Sequence, residues 1–213
     1  MSSLSETKAI HSEIEKNIIS RLEEFRQVWL NGNDEDIFAE LVFCIFTPQS
    51  KARSCWAAVE ILKEKELLME GNQQEIAKAI TGVRFHNTKA ERVIRVRYQF
   101  FEGCQKLKST IAEFSDPKET REWLVENING LGYKEASHFL RNIGMGQEFA
   151  ILDRHILRNL VSLNVIDKMP ASISRKNYLD IEKKMAKFSR VNDIPMDHLD
   201  LILWYKEAGE IFK

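Results

Sequence analysis

The sequence predicts an all-α protein, and three observations predict it. Apolar residues recur at intervals of three and four along most of the chain. No stretch shows the apolar–polar alternation of a half-buried strand. No internal repeat or low-complexity tract suggests a solenoid or a disordered arm.

The elements follow in order. Ile10, Ile14, Ile18, Leu22, Phe25 and Trp29 line one face of a first helix, which Gly32 ends. Asp34 stands where it can cap a second helix. That helix carries Ile37, Phe38, Leu41, Val42, Ile45 and Phe46, so little of its surface is polar and it belongs at the centre of the core. Thr47-Pro48-Gln49-Ser50 breaks it, and Ser50 is placed to cap the helix of Ala52, Trp56, Val59 and Leu62. Shorter helices are expected around 73–80, 88–104 and 117–127. A hairpin at 129–132 leads into a helix at about 133–142. Asp153 opens a helix over 153–163 that bears Ile156, Leu157, Leu160 and Val161. Another covers 175–187, and the last runs from about Asp193 to the C-terminus through Leu199, Ile202, Leu203, Trp204 and Phe212.

At 213 residues the chain makes one large domain or two small lobes, enough for a real core. Hydrophobic residues are 44% and charged ones 30%, a balance that excludes disorder. No apolar run approaches the roughly 18 residues of a membrane span. Glu6, Lys8, Glu13, Glu15 and Lys16 interrupt the N-terminus, which is therefore no secretory signal, and a cytoplasmic protein is expected. Cys44, Cys55 and Cys104 are too widely spaced for a zinc or iron–sulfur site, and Cys44 and Cys55 read as buried free thiols. A net charge of −1 means that any contact with nucleic acid must come from a local basic patch. Arg84, Lys89, Arg92 and Arg95 form one candidate face, although an ordinary solvated face has the same pattern.

Four of the nine glycines, Gly130, Gly132, Gly144 and Gly146, fall within 17 positions, so a ligand is sought there. Gly130 and Gly132 can take positive φ without a Cβ penalty and turn successive backbone N–H groups outward. Next to a helix N-terminus such a nest binds an anion, most simply a phosphate. Lys134 then opens the following helix, where the positive end of the helix dipole repels its ammonium. Scaffolding does not call for a lysine there, whereas a nucleophilic amine is useful. Asp153 follows nineteen residues later at the start of the next helix. Taken singly, Asp153 is an N-cap and Lys134 a phosphate contact or a solvated charge; their joint placement around the hairpin reads as catalysis.

Leu131-Gly132-Tyr133-Lys134 with Ile151-Leu152-Asp153-Arg154-His155 resembles the helix-hairpin-helix DNA glycosylase superfamily. More narrowly, the run from Lys134 to Gly144 is similar to the type-2 8-oxoguanine DNA glycosylase/AP lyases of archaea and bacteria, over nearly the whole chain. The resemblance implies a single unit, 1–213, of two helical lobes with the active site in the cleft between them. Its helix-hairpin-helix would occupy about 117–142. It implies a glycosylase that removes 8-oxoguanine from double-stranded DNA. Neutral Lys134 would attack C1′, expel the base and form a Schiff base, and β-elimination would then cut the strand. Asp153 would stabilise the oxocarbenium character of the sugar.

The flipped base needs a pocket. In the resembled group a C-terminal lysine and a tryptophan nine positions upstream shape it; here these are Lys213 and Trp204. Gln49 would fill the gap left by the base or contact its orphaned partner. Arg154 and Arg158, on one helix face, are phosphate contacts, and His155 either buttresses the site, contacts a phosphate or simply packs. Neither an organic cofactor nor a catalytic metal is expected, although a monovalent cation has a place against the hairpin carbonyls. A monomer is expected. Two rival readings are the same chemistry on a damaged pyrimidine and a non-catalytic helix-hairpin-helix module. Relatives of the first kind commonly carry a four-cysteine cluster that three cysteines cannot supply, and the second has no need of Lys134 with Asp153.

Overall fold

The structure is a computed structural model that describes residues 3–103 and 106–213; Cys104 lies outside the described residues. Eleven α-helices and no strand occur among the described residues. They are α1 (Ser3–Asn31), α2 (Asp34–Phe46), α3 (Ala52–Glu64), α4 (Gln73–Ala79), α5 (His86–Arg97), α6 (Leu107–Ala112), α7 (Pro117–Asn127), α8 (Tyr133–Asn142), α9 (Arg154–Ser162), α10 (Arg175–Val191) and α11 (Met196–Ala208). A single π-helical turn, Tyr98–Glu102, follows α5.

The buried apolar side chains fall into two clusters. One joins α2 to α8 and centres on α2, in which every residue from Ile37 to Phe46 is buried. Burying each large side chain is worth about 1.5–3 kcal/mol, so a cavity left by Phe38→Ala would cost about 3–5 kcal/mol. The other joins Ile14 and Ile18 of α1 to α9, α10 and α11. Helix α1 belongs to both: its C-terminal Val28 and Trp29 pack on the first cluster. At 29 residues it is roughly 44 Å long at 1.5 Å per residue, long enough to brace two lobes. Helix α8 carries Ala136, Phe139 and Leu140 into the first cluster while Tyr133 at its start packs on the second. No helix of the described residues is long and apolar enough to cross a membrane.

Several helix ends differ from the sequence expectation. Asn33, not Asp34, caps α2: its side chain accepts from Asp36 N–H, and the Asp36 carboxylate accepts from Asn33 N–H. Lys51 occupies the N-cap of α3 without a side-chain bond, because the Ser50 hydroxyl is taken by Arg84 N–H and Lys89 Nζ. The helix expected over 88–104 begins at His86 and leaves α-geometry at Tyr98. Helix α6 was not expected, its six residues being too short to show a period. The last helix starts at Met196 and stops at Ala208, where Gly209 turns the chain at φ 73°. Residues 209–213 are therefore a strap rather than helix.

Candidate active site

A cleft of about 760 Å³ opens between the lobes. Its walls are the α2–α3 loop, the first turns of α8 and α9, Trp204 of α11 and the C-terminal strap. Of the residues singled out from sequence, Gln49, Lys134, Asp153, Arg154, His155, Trp204 and Lys213 line it. Gly130, Gly132 and Arg158 do not, although Gly132 caps α8 immediately before Lys134 and Arg158 is exposed one turn beyond Arg154.

The hairpin is held by Leu131, buried in the first cluster, whose N–H donates to Ile128 O at 3.2 Å. Gly130 takes φ 91°, as expected, but Gly132 is extended at φ −98°. What Gly132 avoids is crowding: a Cβ would stand 3.2 Å from Glu135 Oε2, which accepts from Gly132 N–H. A Cβ on Gly130 would fall 2.6 Å from the Arg92 side chain, so that guanidinium lies across the hairpin.

Lys134 is the second residue of α8. Its Nζ donates to Thr47 Oγ1 at 3.2 Å and lies 3.7 Å from Glu135 Oε1. Thr47 gives its own proton to Cys44 O at 2.9 Å, which turns a lone pair toward the lysine. Asp153 caps α9 through one oxygen: Oδ1 accepts from His155 N–H and Ile156 N–H, both at 2.8 Å. Its Oδ2 has no protein hydrogen bond among the described residues, so half of the carboxylate stays available to the cleft. The segment before Asp153 is pinned from behind. Glu182, in a bidentate pair with buried Arg121 at 2.6 and 2.7 Å, also accepts from Ala150 N–H, while Tyr178 OH donates to Ala150 O.

The strap closes the far side. Arg53 pairs with Glu210, at 2.6 Å from Nε to Oε1, and its guanidinium lies 4.8 Å from the Phe212 ring centre. Lys213 Nζ pairs with the buried Glu40 carboxylate and stands over the Trp56 ring. Burial pulls the Lys213 amine below its ordinary pKa, and the Glu40 charge opposes that. Glu40 is held from the other side by Asn142 Nδ2 at 3.0 Å. Trp204 meets His155 edge to face at 5.7 Å, and His155 Nδ1 lies 3.1 Å from Glu207 Oε2. That bond holds the Glu207 carboxyl below its usual range.

Two cleft residues, Asp200 and His138, were missed in the sequence. Asp200, fully enclosed, accepts from Arg141 at 2.6 Å, and burial raises its carboxyl to about 6. His138 is buried with neither ring nitrogen hydrogen-bonded to protein among the described residues; burial, then the charges of Arg141 and Lys134, keep its imidazole neutral. Neither residue carries a local sequence signal, since no turn or cap marks its position within its helix. Beside the cleft, Phe85 is 55% exposed and held at φ 58°, next to Arg84, whose N–H is tied to the Gln49 loop through Ser50. Gln49 itself is held at φ 57° on an exposed turn, the strained backbone typical of functional loops.

Of the candidate basic face Arg84, Lys89, Arg92 and Arg95, Lys89 does not take part. Lys89 is 2% exposed and points inward, donating to Phe46 O at 2.6 Å, Pro48 O at 2.8 Å and Ser50 Oγ at 3.2 Å. It closes the C-terminal end of α2 and shapes the loop that carries Gln49 and Thr47. Burial lowers its amine to about 8. Cys44 and Cys55 are buried free thiols.

The sequence model of a family described as 8-oxoguanine DNA glycosylase matches residues 18–194. An 8-oxoguanine DNA glycosylase/AP lyase of Fusobacterium nucleatum is 46% identical over 209 residues, 98% of this chain and 96% of that protein. The crystal structure of the 8-oxoguanine DNA glycosylase of Thermotoga maritima superposes with a TM-score of 0.88 at 33% identity, covering 99% of this chain and 98% of that one. The Methanocaldococcus jannaschii 8-oxoguanine glycosylase/lyase, solved in complex with a 15mer DNA containing 8-oxoguanine, gives a TM-score of 0.88 at 34% identity over 99% of both chains.

Proposed function

This chain belongs to the 8-oxoguanine DNA glycosylase family, and on that premise we propose that it excises 8-oxoguanine from double-stranded DNA through a Schiff base on Lys134. The observation that carries the reading is the convergence of Lys134 and Asp153, from the starts of two different helices, on one cleft beside a glycine hairpin.

The start of α8 grips a phosphate near the lesion, with Arg154 and Arg158 holding the strand further along. A monovalent cation between the hairpin carbonyls and that phosphate would add to the grip, and no chemical step depends on it. The flipped nucleotide enters the cleft with its base between Trp204 and the strap, while Gln49 fills the gap in the duplex. The C1′–N9 bond breaks as the Lys134 amine forms a bond to C1′, and the bonding pair leaves with the base. The free side of the Asp153 carboxylate faces the positive charge that develops on the sugar. One amine proton passes to the departing base and the other to O4′ as the C1′–O4′ bond breaks, so the sugar ring opens and an imine forms. Loss of the C2′ proton then expels the 3′ phosphate.

Borohydride tests this directly. With a duplex containing 8-oxoguanine, reduction is expected to leave one covalent protein–DNA band, and the same duplex with guanine should leave none. Excision without a trapped band would remove the lysine from the mechanism, and trapping only on damaged pyrimidines would move the substrate to the rival class.

A further inference from the structure

Outside the lining of the cleft, where α1 packs on α11, three side chains with metal-binding atoms converge. His11 Nε2 stands 3.0 Å from His198 Nδ1, with the two rings 76° apart. Glu15, one turn after His11 on the same face, brings Oε1 to 3.8 Å from His11 Nε2. One donor atom from each of the three lies within 4.8 Å of the others. The function proposed above uses none of them.

The spacing suits one ion. Two ligand atoms bound at about 2.0–2.1 Å on a tetrahedral centre stand roughly 3.3 Å apart, so the two nitrogens need to separate by only a few tenths of an ångström. Imidazole with carboxylate is a donor set for zinc and its first-row neighbours rather than for calcium or magnesium. Both histidines are half-buried, while Glu15 is 53% exposed, which leaves an entry path and an open fourth position for water. The metal-free alternative is an imidazole–imidazole hydrogen bond with Glu15 as an i,i+4 partner of His11, and zinc binding separates the two.

We infer that His11, Glu15 and His198 bind a divalent zinc-class cation that clips the N-terminal helix to the helix carrying Trp204. The ion takes no part in catalysis; it fixes α11, and through it one wall of the cleft.

Zinc(II) alone, titrated calorimetrically into the metal-free full chain, is expected to bind with one equivalent. His11→Gln and His198→Gln should each weaken that binding by at least about tenfold, with a smaller loss for Glu15→Gln. Zinc should raise the unfolding midpoint of the parent protein and not that of the histidine variants. A readout without substitution is carbethoxylation of the parent protein, followed by peptide mass spectrometry: zinc should protect His11 and His198 and leave His86 reactive. The inference is overturned if no stoichiometric binding occurs, if both glutamine variants bind as the parent does, or if zinc leaves the modification of His11 and His198 unchanged.

Discussion

The ammonium of Lys213, the last residue of the chain, lies 3.6 Å from the centre of the Trp56 ring. It is paired there with Glu40, a carboxylate only 4% exposed. The terminal side chain is thus an internal group, and the strap that carries it is part of the first lobe. Removing one partner of a buried pair leaves the other charge unmatched. Lys213→Met should therefore destabilise the protein by about 3 kcal/mol, measured by urea unfolding near neutral pH. Adding Glu40→Gln should recover much of the loss, because neither charge then remains; a double variant as unstable as the sum of the singles would deny the coupling. Deleting Lys213 should also reduce the preference for 8-oxoguanine over guanine, and unchanged selectivity would remove the strap from the base pocket.

Lys134 has two separable jobs, a hydrogen bond to Thr47 and, in the proposed mechanism, attack on C1′. Lys134→Gln keeps a donor of similar reach but has no nucleophile. Base excision and strand cleavage should both disappear, together with the borohydride adduct, while lesion duplex is bound within about tenfold of the parent affinity by gel shift. Thr47→Val should keep the adduct and slow its formation. An excising glutamine variant would transfer the chemistry to another group.

Asp153 poses the question of cap against catalyst, and one substitution separates them. Asparagine caps a helix about as well as aspartate, and its carbonyl oxygen can accept the same two bonds from His155 and Ile156. Asp153→Asn should therefore change the unfolding free energy by less than about 1 kcal/mol. It should lower single-turnover excision by about 10²–10³-fold, since the negative charge facing the sugar is lost. A variant that excises normally would leave Asp153 a cap and nothing more.

The site was more legible in the sequence than its surroundings, for physical reasons. Lys134 and Asp153 sit beside strong local punctuation, a Gly-x-Gly turn and a helix start, and local signals survive in a one-dimensional reading. Asp200 and His138 gave no such signal. The partner of Asp200, Arg141, is 59 residues away, and His138, between Ser137 and Phe139 on α8, has no local feature that sets it apart. Asn33 and Asp34 are both good caps and adjacent, so only the geometry decides between them. Ser50 failed as a cap because a lysine 39 residues further on takes its hydroxyl. The residues alone left one domain or two lobes open, because the single apolar stripe of α1 serves both cores.

Lys89 shows the same limit most clearly, and it makes a pH prediction. Spaced three residues from Arg92 and six from Arg95, it reads as one of a solvated row. In the fold it answers two carbonyls at the end of α2. Lys89→Met would leave Pro48 O unmet and Phe46 O with only the weak Cys55 thiol donor, at a cost of about 1–3 kcal/mol, and would loosen the loop that carries Thr47 and Gln49. The sign of the pH dependence follows from the lowered pKa. Between about 8 and the ordinary lysine value of 10.5 the unfolded chain holds a proton that the folded chain has released. The Lys89 contribution to stability therefore rises with pH across that window. The stability gap between parent and Lys89→Met should widen from about pH 7 to about pH 10 in denaturant unfolding. A gap that narrows would mean that the folded lysine keeps its proton, held by Phe46 O and Pro48 O more strongly than burial disfavours it.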